Sequence, residues 1–542
     1  MASIGLMVVA LGLVVFSVKT GPADRSDEIG TSGWLLVTTL LHLPFFGILF
    51  LQMVGILERI GYFWKGRKPE LPGSMPAEYP MVCVQLPMFN EHAVARRVIE
   101  AAAKMTWPRD RFFIQVLDDS TDEDTRQLVE QVCAEVWLSG VEYCILHRSN
   151  RRGYKAGALE EGRRHTDCEF FVIFDADFVP PADFLLRTIP HFYLEDGTPD
   201  TGLALVQAQW GHLNHAESLL TLAQSLWVDD HHTLQMAWRS AVWNFVNFTG
   251  TAGVWRASAI EEVGGWRATS LVEDCELSFR HLFAGYRTKF VKEIVVPSEL
   301  PATYTAYKAQ QKRWTQGWVQ LQRLHLSTLL FVYQASWLRR LHLLYHMCIS
   351  WQWPAWMLWV IMLPSLIYNG YWFGALDEPV GVILYLVPSV IWWLVSAILA
   401  TLETRHTYRE HLSPIRFIQR VGRMIPLFVI STGMLAHQCS AFLEGLFGPF
   451  KSEFERTPKA ASVTGVAAQP SAAKKRYPVK IHWPYVIAEL LFIVFQVFWA
   501  ILFFKAGLIW CGIVAACLAA CVVYVVFFYG DHKGKICFIL NK

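Results

Sequence analysis

Asp175 and Asp177 stand one residue apart at the end of the apolar run Phe170-Phe-Val-Ile-Phe174. Such a run predicts a buried strand of a mostly parallel sheet, covered on both faces. Ligands of open α/β sheets sit beyond the carboxyl ends of these strands. Two acids there suit a hard divalent cation, since Mg²⁺ typically takes one or two carboxylates and leaves its other positions to water and phosphate oxygens. An isolated D-x-D is usually a solvated turn, so the metal reading depends on other parts of a phosphate-handling site.

Such parts recur along the chain. Pro87-Met-Phe-Asn-Glu91 follows one candidate strand and Asp118-Asp-Ser120 another, so three strand ends carry acids and turn residues beside one crevice. Lys155 would add a cation there, although a solvated lysine at a helix start has the same signature. Gly250-Thr-Ala-Gly253 is a small-residue turn that lets backbone approach a ligand closely. Val272-Glu-Asp274 opens a helix over Cys275–Leu282, where an acid also serves as a cap. Gln310-Gln-Lys-Arg-Trp314 lies on a segment rich in helix formers. Asp229-Asp-His-His232 invites a second metal, but helical neighbours i and i+1 do not share a face, and Asp and His there need none.

Positioning these groups takes alternating strands and helices. Strands are predicted at Met81–Leu86, Phe112–Leu117, Tyr143–Leu146, Phe170–Phe174 and Leu203–Gln209, with helices at Glu91–Lys104 and Asp122–Leu138. The pattern implies a doubly wound α/β domain with right-handed crossovers.

The rest of the chain is of another kind. Hydrophobic residues make up 53% and charged ones 17%, a membrane-protein balance. A net charge of +2 leaves no broad basic field for nucleic acid. The eleven cysteines form no C-x-x-C pair and suit a reduced, cytosol-facing domain. The 23 tryptophans serve as interface belts or as stacking platforms for ligands. Six spans are predicted: Ala2–Val18, Trp34–Leu57, Leu341–Ile367, Val380–Leu402, Trp483–Phe504 and Leu508–Phe528. The first lacks a basic n-region and a cleavage site and reads as an anchor. Arg59, Lys65, Arg67 and Lys68 put the following domain in the cytosol. Met424–Phe447 is flanked by basic clusters and contains His437, Gln438 and Glu444, so it is predicted to lie flat at the cytosolic interface as an amphipathic helix. Gly465–Lys475 reads as a flexible linker. The expected division is residues 1–77 for two spans and a linker, 78–325 for the cytosolic domain, and 326–542 for interfacial helices, a loop at 450–460 and four spans.

Taken together, these pieces resemble the membrane-embedded processive family 2 glycosyltransferases of the cellulose synthase-like group. Within it the chain is most similar to the A and C branches, the mannan/glucomannan and glucan synthases. The resemblance covers roughly Met81 to Lys459 and rests on PMFNE at 87–91, LDDS at 117–120, GYKAGAL at 153–159, DAD at 175–177, VQAQW at 206–210, GTAGVWR at 250–256, VED at 272–274 and QQKRW at 310–314. D-x-D, x-E-D and Q-x-x-R-W are specific in combination though weak singly. Phe454, Thr457 and Lys459 match the family's gating-loop pattern F-x-V-T-x-K. The family's T-E-D reads Val272-Glu-Asp274 here, its gating-loop valine is Arg456, its F-N-G-T turn is Phe248-Thr-Gly-Thr251, and the mannan-type QQHRW followed by Gly-Pro reads QQKRWTQGW.

The resemblance implies a GT-A, Rossmann-like α/β domain inserted in a multi-pass α-helical membrane domain. It implies Mg²⁺ or Mn²⁺ on Asp175 and Asp177, with Asp175 nearer the diphosphate. Phe89, Glu91, Asp118, Asp119, Lys155, Asp175, Gln310 and Arg313 would bind the nucleotide, Phe89 at the base. A guanidinium suits forked contact with phosphate oxygens. Asp274 takes the place of the general base that inverting transfer to a hydroxyl needs, with Glu273 beside it. Trp314 and Thr251 fall at acceptor positions, Trp314 under the terminal sugar. The implied function is processive polymerisation of a hexose from a UDP- or GDP-sugar into a β-linked glucan, mannan or glucomannan, passed through the protein's own spans because hydroxyls in hydrocarbon are costly without partners. Partners would be the nucleotide sugar, the growing glycan and the bilayer of a bacterial inner membrane or a eukaryotic Golgi or plasma membrane. Two alternatives stay open: a non-processive transferase acting on a membrane lipid, and an inactive glycan-binding or transport protein.

Overall fold

The computed structural model describes residues 36–372, 378–404, 413–450, 482–527, 529–530 and 536–537. The predicted span Ala2–Val18, the loop residues Phe454, Thr457 and Lys459, and the linker Gly465–Lys475 lie outside the described residues.

Seven strands form the central sheet: β1 (Val82–Met88), β2 (Phe112–Asp118), β3 (Glu142–His147), β4 (Phe170–Ile173), β5 (Leu203–His212), β6 (Gly253–Arg256) and β7 (Arg287–Ser298). Their order is β3-β2-β1-β4-β6-β5-β7. β1 runs parallel to β2 and β4, β2 is parallel to β3, and β5 is parallel to β7. β6 is antiparallel to both β4 and β5. The five predicted strands are all present. The other two escape the sequence: Gly253, read as part of a turn, heads β6, and β7 carries Lys289 and Lys292 among its apolar residues.

Alternation along the strands sorts residues onto two faces. Val82, Val84, Leu86, Ile114 and Val116 pack with Val98, Ile99, Val129 and Val132 of the helices Ala95–Ala103 and Glu123–Leu138. Cys83, Leu117, Phe171, Ile173 and Trp255 pack on the other side with Leu159, Ile260 and Leu277. Both faces of the sheet are therefore covered, and its strand ends open onto the crevice that carries the acids.

Four described helices are long and apolar enough to cross a membrane: Leu43–Gly66, Glu378–Glu403, Trp483–Lys505 and Ile509–Phe527. They correspond to four of the predicted spans. The fifth, Leu341–Ile367, is not one helix: Trp337–Met347 ends, a 3₁₀ turn intervenes at Ile349–Trp351, and Gln352–Tyr368 follows with 17 residues. Gln322 holds the break, its Nε2 donating to the Met347 carbonyl at 2.8 Å and to Ser350 Oγ at 2.9 Å. The first of these helices is tied to other parts of the protein, with His342 on Glu58 (2.8 Å) and His346 on Asn247 (3.1 Å).

Met424–Phe447 also differs from expectation. It is two helices, Met424–Gly433 and Leu435–Phe447, and the second turns 54° from the helical stretch before it. Its polar residues face protein. His437 meets the Lys308 carbonyl at 3.1 Å, Gln438 bonds Thr315 and Gln311, and Glu444 pairs with Lys312 at 3.6 Å. The amphipathic surface helix is the preceding Pro414–Val421, which buries no residue and exposes Ile415 and Ile418. Arg59, counted as a flanking charge, is likewise buried, its Nε donating to Asp230 Oδ1 at 2.9 Å.

Candidate functional site

Three strand ends and three helices converge on one cavity of about 390 Å³. The β1 end supplies Phe89 and Glu91, the β2 end Asp119, and the segment after β4 supplies Asp175 and Asp177. Glu273 and Asp274 open the helix Glu273–Phe283, while Gln310, Arg313 and Trp314 lie on Tyr304–Ser327. Lys155 completes the set from the first turn of Tyr154–Arg164. Residues separated by more than two hundred positions thus share one lining.

Two of these helices meet because one residue is small. A Cβ on Gly317 would fall 2.5 Å from Val272 Cγ1, so only glycine lets the Gln310-to-Trp314 helix lie against the Val272-Glu-Asp274 segment. Gln320 fixes the contact by accepting the Leu271 N–H at 3.0 Å. On the opposite wall Gly250 has φ +86°, open to glycine at little cost, and a Cβ there would sit 3.0 Å from Asp274 Oδ2.

Lys155 bridges the walls. Its Nζ donates to Asp175 Oδ1 at 2.5 Å and to the Gly250 carbonyl at 2.7 Å. Burial pulls its pKa down, but the Asp175 and Glu273 carboxylates outweigh this and raise it. Burial, reinforced by the Asp274 charge, lifts Glu273 to about 7 against the pull of Lys155 and Arg313. Burial also raises Asp274, against the N–H of Cys275, which donates to Asp274 Oδ1 at 2.8 Å. The arrangement offers a carboxylate pair with raised proton affinity facing two fixed cations.

Thr251 and Asp118 sit elsewhere than expected. Thr251 is buried and absent from the lining; its Oγ1 accepts the Asp175 N–H at 2.9 Å. Pairing of β6 with β4 puts it behind the D-x-D, where it fixes backbone, and Thr249 and Gly250 line the cavity instead. Asp118 is also buried away from the lining, accepting the Ser120 N–H at 3.0 Å. Asp119 takes a fork from Arg148, whose Nε donates to Oδ1 at 2.8 Å.

Asp175 and Asp177 both face the cavity, and the Asp175 side chain is 37% exposed. Two carboxylates lining one cavity fit a hard divalent cation that completes its shell with water and diphosphate. Asp229-Asp-His-His232 does not gather as a metal site. Asp229 pairs with Arg423 at 3.3 Å, Asp230 with Arg59, and His232 stacks on Trp210. Among the described residues no group of three or more His, Cys, Asp or Glu is placed to hold a metal.

The cavity reaches further than the motifs do. Arg59, Tyr345, Trp353 and Trp392 extend its lining into the helices read as membrane-embedded. Arg151 also lines it. The tryptophan count hinted at stacking surfaces, but no spacing rule joins positions this far apart.

Residues 170–403 match the family model described as Glycosyl transferase family group 2. The chain is 40% identical over 316 residues to "Probable glucomannan 4-beta-mannosyltransferase 11" of Oryza sativa subsp. japonica, covering 58% of this chain and 54% of that protein. It is 43% identical over 271 residues to "Glucomannan 4-beta-mannosyltransferase 1" of Cyamopsis tetragonoloba, covering 49% of this chain and 51% of the relative. The chain spans about half the length of the curated relatives it matches. A solved structure, the mannosyltransferase PcManGT from Pyrobaculum calidifontis in complex with GDP-Man and Mn²⁺, is similar at a TM-score of 0.45 and 18% identity, over 74% of this chain and 98% of that one.

Proposed function

From a chain that carries a glycosyl transferase family group 2 domain over residues 170–403 and has glucomannan 4-beta-mannosyltransferases as homologues, we propose an inverting, processive hexosyltransferase. It would build a β-linked glycan from a nucleotide sugar at the cytosolic face and pass the product between its own membrane helices. The names of the relatives favour mannosyl transfer. The observation that carries the reading is the single cavity. The D-x-D acids, Asp274, Arg313 and Trp314 share it with Tyr345, Trp353 and Trp392.

Asp175 and Asp177 would hold Mg²⁺ or Mn²⁺, which when bound supplies Lewis-acid neutralisation of the leaving diphosphate. Arg313 and Gln310 border the same space and would grip diphosphate oxygens, the guanidinium by its fork. Phe89 offers its ring to the base. Glu91, Asp119 and Lys155 frame the nucleotide pocket. Asp274 accepts the proton of the acceptor hydroxyl, and burial raises its proton affinity for that task. Glu273 stores charge beside it and tunes that affinity. Thr251 acts through Asp175, whose N–H it holds, and Asp118 through the turn at Ser120.

The test is incubation of the purified protein with a panel of UDP- and GDP-hexoses, with and without Mg²⁺ or Mn²⁺, followed by nucleotide release and product sizing. Release together with a lengthening glycan is expected. No release with any donor would sink the reading, and a product that stays lipid-linked would replace polymerisation by lipid glycosylation.

Trp314→Ala should separate chain growth from chemistry. The ring lies one residue from Arg313 and borders the same cavity. Removing it takes away the platform for the chain end while the acids remain. Misplacement of an acceptor costs about 10²-fold, so polymer yield should fall at least that far while slow hydrolysis of the donor by water persists. Normal polymer from this variant would make Trp314 a membrane-belt residue.

A further inference from the structure

The guanidinium of Arg151 sits over the ring of Phe89, with Cζ 3.3 Å from the ring centroid. Both residues line the cavity, as does Tyr154, whose ring is 5.4 Å from the same Cζ. We propose that Arg151 is the second face of the nucleobase site: a base enters between its guanidinium and Phe89, stacked on both. This rests on the nucleotide-sugar reading above and adds a specificity-determining residue to it.

The loop is built to present this side chain. Arg151 has φ +42° and Tyr154 φ +49°, on either side of Gly153 at φ +74°. Left-handed backbone at two non-glycine residues is uncommon and persists where surroundings over-determine it. Here Arg148 does so. Its Nη1 donates to the Arg152 carbonyl at 3.0 Å and its Nη2 to the Tyr154 carbonyl at 2.8 Å, and Asp119 anchors Arg148 itself. Asp119 thus reaches the nucleotide through Arg148, by shaping the loop that carries Arg151. The same loop leads into the helix turn of Lys155, so the base pocket and the acid centre share one rigid support.

A planar cation on an aromatic ring marks a slot of the right chemistry for a heteroaromatic base. The backbone is held, while the long Arg151 side chain lifts by one base thickness and keeps a π-face beneath it. An ammonium in its place would keep the charge but lose the flat contact.

The experiment uses the purified full chain and three inhibitors, GDP, UDP and inorganic pyrophosphate, the last having no base. In Arg151→Ala, inhibition by the nucleoside diphosphate of the accepted donor should weaken about 2–30-fold, the range of a cation–π contact between exposed and desolvated sites. Inhibition by pyrophosphate should not change, and the effect on turnover should fall on KM rather than kcat. Arg151→Lys should recover only part of the loss. In the background of Phe89→Leu the effect of Arg151→Ala should shrink, because the slot has already lost one wall. Equal weakening of pyrophosphate, or complete recovery by lysine, would make Arg151 a phosphate-binding charge and overturn the proposal. Unchanged or tighter nucleotide inhibition would overturn it too, since Arg151 would then only fill the vacant ring face. Direct titration of the nucleoside diphosphates into the protein keeps the test separate from the reading above: failure of every donor in the transfer assay speaks against the transferase, whereas binding speaks to Arg151.

Discussion

Asp274→Asn is expected to lower glycosyl transfer by at least about 10²–10⁴-fold, the usual contribution of a general base, while nucleotide binding survives. The amide keeps the shape of the side chain, and its oxygen can still accept the Cys275 N–H that now holds Oδ1. What it loses is the capacity to take a proton at neutral pH. The acidic limb of the wild-type pH profile gives a second readout. Burial first, and then the charge of its neighbour, raise Glu273 to about 7, and burial raises Asp274. A base works only when deprotonated, so activity should be lost as pH falls through the raised Asp274 pKa and return as pH rises. In Asp274→Asn that base is gone, so residual activity should lack this limb, while Glu273, relieved of its neighbour's charge, titrates lower. The competing account makes Asp274 a helix cap, since it binds an N–H in the first turn of its own helix. A cap would cost about 0.5–2 kcal/mol of stability and leave turnover near normal. Nearly normal transfer with a lowered melting temperature would decide for the cap.

The motifs were legible in the sequence because each sits at a regular place on one element. Asp175 and Asp177 end a strand whose apolar run is unbroken, and Gln310, Arg313 and Trp314 ride a helix whose residues are good helix formers. Thr251 was not legible. Its role depends on β6 running antiparallel beside β4, and a four-residue strand headed by glycine carries too little pattern to be seen. Met424–Phe447 is legible only in part, for a different reason. Polar residues on an apolar helix mark an interface with water or an interface with protein, and hydropathy does not distinguish the two. Here His437 and Gln438 are buried on the helix Tyr304–Ser327, where Gly445 brings the backbones together: a Cβ there would lie 2.8 Å from the Gln316 carbonyl. Arg59 shows the same limit. A basic residue at the end of a span reads as a topology signal, but its partner Asp230 lies 171 positions away. The membrane-side wall of the cavity is made of such distant pairs, which is why the sequence showed the acids and not the walls.

Asp177→Asn should abolish transfer, and excess chelator should do the same to the wild-type protein. A bound divalent ion stabilises several kcal/mol of developing charge, so the loss should be roughly 10³-fold or more. The structure makes this a real choice between two sources of positive charge. Lys155 already rests on Asp175, and Arg313 borders the same cavity, so two protein cations are at hand without any metal. Burial, relieved by the Glu273 and Asp175 charges, lowers the Arg313 pKa from its ordinary value, yet a guanidinium stays charged at neutral pH. If these two sufficed, Asp175 and Asp177 would serve only to hold Lys155 and the turn. Asp177 argues otherwise. It is buried and lines the cavity beside Asp175, which carries the Lys155 contact, so both carboxylates reach the space where a diphosphate would lie. Arg97 secures the Asp177 backbone by donating to its carbonyl at 3.3 Å and is itself held by Glu299 at 2.7 Å, which fixes the aim of the carboxylate beyond the strand end. A second acid so placed makes sense as a ligand for a cation that arrives with the diphosphate. Full turnover in chelator would hand the charge to Lys155 and Arg313 and strip the D-x-D of its metal. Loss of turnover that Mn²⁺ or Mg²⁺ restores in the wild type, but not in Asp177→Asn, would fix the ion on these two carboxylates.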